Sequence, residues 1–153
     1  MNDETRLDAV LDELARQWFS SPQFLEIEKA EDDADGARRR WLLRFRGEEK
    51  DVIALWLTLR QRSLEVEAEI APAPDEQHLE VYRYVLRRNA GLAPLHVALG
   101  PEEGLYLMGR FAADDVTAAT LDEICGAAVH YVDELFPTIM SLGYPKLFRR
   151  RRR

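Results

Sequence analysis

The sequence is poor in the residues from which small enzymes and metalloproteins are built. Its 153 residues include one cysteine, Cys125, and three histidines, His78, His96 and His130. A single cysteine excludes an internal disulfide. Cys125 and His130 are five residues apart, about 140° around a helix, so they do not face one ion. Neither H-x-x-x-H nor C-x-x-C occurs, which leaves no zinc pattern. There is no G-x-S-x-G, no P-loop and no G-x-G-x-x-G; Gly100, Gly104 and Gly109 read as turn and strand glycines. No apolar run approaches the ~18 residues that span a bilayer. The opening MNDETRLDAVLDEL is acidic and amphipathic, without the basic start and apolar core of a signal peptide. These absences predict a cytoplasmic protein that is not an enzyme, with no cofactor, no metal and no small-molecule substrate.

Two features imitate chemistry and are better read as structure. Glu31, Asp33, Asp35 and Gly36 match the start of a calcium loop, E-x-D-x-D-G, but the twelfth position, where a bidentate glutamate is needed, is Leu42. The segment lies between two strand patterns, so an acidic hairpin turn is the expectation. Cys125 sits on the apolar stripe of the last helix, where a cysteine behaves as a small hydrophobe. Carboxylate pairs are everywhere in so acidic a chain and carry no information.

What is present is a globular composition, 46% hydrophobic and 32% charged, with an uneven charge. The net charge is −7. Lys146 and Arg149, Arg150, Arg151, Arg152 and Arg153 place six positive charges in the last eight residues; the other 145 residues carry 15 basic and 28 acidic side chains, a balance of −13. A single α+β domain over residues 1–145 is expected, followed by a basic tail, residues 146–153, expected to be disordered.

Periodicity gives the elements. Leu7, Val10, Leu11, Leu14 and Trp18 form one stripe on a helix from about Thr5 to Phe19, with Asn2, Asp3 and Thr5 as candidate caps and Ser20-Ser21-Pro22 as its stop. Leu25 and Ile27 alternate with Glu26 and Glu28. Trp41, Leu43 and Phe45 face one way in the next strand. Val52–Leu59 is nearly apolar on both faces, as a central strand would be. Leu64, Val66, Ala68 and Ile70 alternate with Glu65, Glu67 and Glu69. A two-residue hairpin at Gln61-Arg62 sets Leu59 against Leu64, Leu57 against Val66 and Leu55 against Ala68; Phe45 against Ile53 then aligns Leu43 with Leu55 and Trp41 with Leu57. Every inward residue meets an inward residue, and a one-residue slip would break all the pairs.

After Ala71-Pro72-Ala73-Pro74-Asp75, Leu79, Tyr82, Leu86 and Asn89 share a helix face that ends at Gly91. Leu95, Val97 and Leu99 pair with Gly109, Leu107 and Leu105 across Gly100–Gly104. The last helix is expected to open at Thr120 with Glu123 at capping-box spacing, with Pro137 kinking or shortening it. The order is α-β-β-β-β-α-β-β-α, a mostly antiparallel sheet with helices packed on it.

Three stretches, HLEVYRYVLRRNAGL (His78–Leu92), LHVALGPEEGLYLMGRFA (Leu95–Ala112) and TLDEICGAAVHYVDELFPTIMSLG (Thr120–Gly143), resemble in that order the C-terminal half of YbjN-type proteins, named as bacterial sensory transduction regulators. That family is similar in fold to type III secretion chaperones. The resemblance implies such a fold and a binding-module role. It offers no catalytic residues to carry over.

The sheet face opposite the core is the other candidate. Leu42, Val52, Trp56, Tyr106 and Met108 lie there among Arg44, Arg46, Arg60 and Arg110 and the strand glutamates. Trp56, Tyr106, Met108 and Arg110 are the residue types that protein interfaces enrich, and they would serve a homodimer interface as well as a client site; cross-strand Arg–Glu pairing on a solvated face is the plainer explanation. The expected function is a protein-binding module, chaperone-like or regulatory, acting as a homodimer. The alternative is an adaptor that holds an anionic polymer or membrane through Lys146 and Arg149–Arg153.

Overall fold

A computed structural model describes residues 2–30 and 39–146. The acidic segment with Glu31, Asp33, Asp35 and Gly36, and the tail from Leu147 to Arg153, lie outside the described residues. The chain order is α1 (Asp3–Trp18), β1 (Phe24–Ala30), β2 (Arg39–Arg46), β3 (Val52–Leu59), β4 (Ser63–Ala71), α2 (His78–Asn89), β5 (His96–Leu99), β6 (Leu105–Ala112) and α3 (Ala118–Gly143). The strands form one antiparallel sheet in the order β1-β2-β3-β4-β6-β5. The α+β order read from the sequence is the order observed.

The registers follow from burial. Trp41 pairs with Leu57, Leu43 with Leu55 and Phe45 with Ile53, and Leu55, Leu57 and Leu59 pair with Ala68, Val66 and Leu64. Arg60 N–H donates to Ser63 C=O at 2.8 Å, so Gln61 and Arg62 are the two-residue turn. The inward apolar side chains of β2, β3 and β4 are all buried. They pack with Leu7, Leu11 and Leu14 of α1, Val81 and Val85 of α2, and the Leu121–Met140 stripe of α3 in one core. The helix α3 lies over β3 and β4, with α1 beside it towards β1 and α2 beside it towards β5. All three helices therefore cover one sheet face and leave the other open.

Local chemistry fixes the ends. Asn2 Oδ1 accepts the Thr5 N–H at 2.8 Å and caps α1. Arg6 ties α1 to the entry of α3, donating to the Val116 C=O at 2.6 Å and the Ala113 C=O at 2.5 Å. Gly47 is required by space: a Cβ there would lie 2.2 Å from the Lys50 carbonyl oxygen.

Four local expectations are corrected. Between Phe24 and Glu26 the β1–β2 register shifts, so Leu25 is the extra residue of a bulge; it is exposed, while Phe24 and Ile27 turn towards the core. A bulge reverses the alternation on one side of itself. On α2 the inward line is Val81, Val85 and Asn89, four residues apart, while Leu79 and Leu86 are 66% and 67% exposed. The helix is fixed by α3 and β5, and the shorter valines fit that contact. The cap of α3 is Thr117, whose Oγ1 accepts the Thr120 N–H at 3.2 Å, so the helix opens two residues before Thr120. Finally, of the two effects expected at Pro137 the shortening does not occur: α3 runs on through it to Gly143. The proline costs a hydrogen bond, yet Leu135, Phe136, Ile139 and Met140 are buried on both sides of it, and that packing holds the helix.

Candidate interaction surfaces

The open sheet face carries the residues singled out from sequence. One cross-strand row runs Glu28–Leu42–Trp56–Glu67–Met108–His96 over all six strands. Tyr106 lies in the row containing Glu69 and Ala98, and Arg110 in the row containing Thr58 and Glu65. Trp56, Tyr106 and Met108 are half-buried. The guanidinium of Arg40 sits 4.1 Å over the Trp56 ring and its Nε donates to Thr58 Oγ1 at 3.3 Å. Arg44 bridges Glu26 and Glu28, Arg60 and Arg110 flank Glu65 at 3.4 and 3.2 Å, and Tyr106 Oη donates to Glu69 at 3.3 Å. Burial, then the nearby Glu69 charge, raises the Tyr106 hydroxyl above its ordinary pKa. The four candidates thus share one face, each engaged with a cross-strand neighbour or in the Trp56–Met108 row.

Sequence reasoning missed a second surface, the outer face of α2. Leu79 and Leu86, seven residues apart, point outward on either side of half-buried Tyr82. The edge beside it is closed: the Asn89 carboxamide accepts the Val97 N–H at 2.7 Å and donates to the Val97 C=O at 2.9 Å. That side chain occupies the backbone pair that an added strand would use.

The third surface is a groove of about 560 Å³ between α3 and the end of α1. Trp18, Phe24 and Phe45 build its floor, with ring centroids 5.4 to 5.9 Å apart. Carboxylates from Glu48, Glu49, Asp122, Asp133 and Glu134 border it, and among the described residues lining it there is no lysine or arginine. Asp122 accepts from Trp18 Nε1 at 2.7 Å. Asp133 accepts the N–H groups of Glu48, Glu49 and Lys50 at 2.9, 2.8 and 3.0 Å. Glu134 pairs with Arg88 and lies 3.2 Å from His130. The Arg88 hydrogen bond holds the Glu134 carboxyl below its usual range. These residues come from five separate parts of the chain, so no local pattern announces the groove.

Cys125 is 1% exposed, and burial pushes its thiol up to about 12. Its reaction with a small disulfide reagent at pH 8 is expected to be at least about a hundredfold slower in the native protein than in urea, because the thiolate is the reacting form; native reactivity within tenfold of the unfolded rate would contradict the burial. Among the described residues, no three His, Cys, Asp or Glu side chains are grouped to hold a metal ion. No helix of the described residues is long and apolar enough to cross a membrane.

Comparison with known proteins agrees with this architecture. The model of the family described as "YbjN: Putative bacterial sensory transduction regulator" matches residues 6–140. "Uncharacterized protein Rv0487" of Mycobacterium tuberculosis is 32% identical over 115 residues, 75% of this chain and 63% of that protein. "Uncharacterized protein ML2442" of Mycobacterium leprae is 33% identical over 88 residues, 58% of this chain and 48% of that protein. The chain spans less than two thirds of the length of these relatives. Among solved structures, a chain of the heterodimeric ExoU–SpcU complex from the type III secretion system of Pseudomonas aeruginosa superimposes with a TM-score of 0.54 at 17% identity, covering 89% of this chain and 99% of that one. The secretion-chaperone-like fold expected from sequence is the fold observed.

Proposed function

The chain belongs to the YbjN family, whose model spans residues 6–140, and on that premise we propose that it is a non-enzymatic protein-binding module of the cytoplasm, chaperone-like or regulatory, that acts as a homodimer. The observation that carries the reading is the outward stripe of α2. Two leucines two-thirds exposed on one helix face are costly to leave in water, at about 25 cal/mol per Å² of apolar surface. A second copy is the occupant whose charge fits. Along α2 the first turn holds Glu80 and the last turn Arg87 and Arg88. A two-fold axis perpendicular to the helices sets them antiparallel, bringing Glu80 of one copy towards Arg87 of its partner across the leucines. With the neighbouring β5 edge closed by Asn89, the helix face rather than strand addition at β5 is the route to a dimer on this side of the molecule.

The open sheet face then serves a client segment, held against Trp56, Tyr106 and Met108 with Arg110 at its margin. The ExoU–SpcU complex, a heterodimer by its description, supports a protein as the partner.

The test is the solution mass by light scattering. The full chain is expected to be a dimer at 50–100 µM, and Leu79→Asp with Leu86→Asp a folded monomer. A wild-type monomer at that concentration, or a dimer unmoved by the double substitution, would overturn the α2 contact.

A further inference from the structure

The outward stripe of α2 has a charged flank as well as leucines. Glu80, Arg83 and Arg87 are all exposed beside Leu79 and Leu86. Arg88, the third arginine of the helix, is held by Glu134, whereas Arg83 and Arg87 make no ion pair among the described residues. Like charges four residues apart on one helix repel each other, and pairing two copies through this face doubles the cluster. Resting on the α2 dimer, we infer that the paired chains hold a dissolved phosphate-type dianion at their dyad, between the Arg83 side chains of the two copies.

Helix geometry places the charges. Arg83 stands about 0.8 Å along α2 from the midpoint of the Leu79–Leu86 stripe and about 50° round from it, and Tyr82 about 50° round the other way. Glu80 and Arg87 lie on the Arg83 side, about 110° and 90° round. A two-fold axis perpendicular to the helices exchanges the copies without exchanging these flanks. Both Arg83 side chains therefore fall next to the axis on one flank, and both Tyr82 rings on the other. With helix axes about 8–10 Å apart, the two Arg83 Cα atoms are about 5–7 Å apart. Both guanidinium groups then reach one tetrahedral anion, each offering a planar fork of N–H donors. On this flank Arg83 and Arg87 of each copy meet one Glu80 from each, four arginines against two glutamates. The surplus is two positive charges, and a phosphate group carries about −1.5 to −2 at pH 7. A single copy offers half of the site. The anion therefore binds the paired state and draws the monomer–dimer equilibrium towards it.

The experiment measures the dimer dissociation constant of the full chain by analytical ultracentrifugation, in about 20 mM inorganic phosphate and in sodium chloride of equal ionic strength, so that general screening is the same in both. The wild type is expected to dimerise at least about fivefold more tightly in phosphate. Arg83→Gln removes both the fork and the repulsion at the dyad. It should remain a dimer, with dissociation constants in the two buffers within about twofold of each other. Leu79→Asp with Leu86→Asp should stay a folded monomer in both. Equal wild-type constants in phosphate and chloride would overturn the anion site and leave the α2 dimer standing. An Arg83→Gln chain that responds to phosphate as the wild type does would also overturn it, because phosphate would then act by strengthening apolar burial in general. Association of the double aspartate variant in phosphate would place the anion at another contact and overturn it as well. A wild type that is monomeric in both buffers at 100 µM would overturn the α2 dimer, and the dyad site with it.

Discussion

Asp133→Ala is expected to lower the stability of the protein by about 3 kcal/mol, measured as a shift in the urea unfolding midpoint at constant slope. The side chain organises the β2–β3 turn: Oδ2 accepts from Glu48 and Oδ1 from Glu49 and Lys50. Hydrogen bonds to a charged acceptor are worth about 1.5–3 kcal/mol each. Two of the three are solvent-exposed, so water replaces part of what alanine removes, and the sum is discounted accordingly. The turn has little freedom to compensate, since Gly47 already lies too close to Lys50 to carry a Cβ. Asp133→Asn keeps the shape but only one accepting oxygen, so about half the loss should remain. A loss under about 1 kcal/mol for the alanine variant would show that the turn stands without its cap.

A larger effect is expected at Trp41. The ring is 1% exposed in the middle of the core, and truncating a buried tryptophan to alanine costs about 3–5 kcal/mol through lost transfer and a residual cavity. Its Nε1–H also donates to Asp8 Oδ1 at 2.8 Å, and that carboxylate is shared with Arg39 and Lys29. Trp41→Ala is expected to cost about 4 kcal/mol. Trp41→Phe retains most of the packing and removes the donor, which isolates the hydrogen bond at about 1 kcal/mol. Equal losses for the two variants would mean that the polar contact, not the volume, dominates. With a domain's total stability at about 5–15 kcal/mol, combining Trp41→Ala with Asp133→Ala should remove about 7 kcal/mol, about half of it or more.

The meander was legible because each strand carries its own alternation and the three alternations agree. Trp41 opposite Leu57 and Leu57 opposite Val66 are the pairs that keep all large side chains on one face. Where the sequence misled, a single local choice outweighed a pattern. Leu79 and Leu86 are more hydrophobic than Val81 and Val85, so a stripe drawn by hydrophobicity selects the outward face, while the contact with α3 selects the valines. At Leu25 one unpaired residue undoes the alternation. Thr117 and Thr120 are both good caps, and spacing to Glu123 favoured the wrong one. The groove could not be read at all, because Trp18, Phe24, Phe45 and Asp133 meet only through the tertiary packing of α3 on the sheet. The outer-face residues were placed correctly for the opposite reason: strand parity alone dictates which side Trp56, Met108 and Arg110 take.

The strand order bears on how the chain acquires this shape. Four of the five ladders join strands that are neighbours in sequence, and only β4–β6 does not. The β2–β3 pair closes over residues 47–51, whereas β4 and β6 close over residues 72–104. Loop-closure entropy makes that longer excursion about 1.7 kcal/mol harder to bring together. Rates track such separations, so the meander assembles early, and the meeting of β4 with β6 is the slow event that commits the chain to its native state.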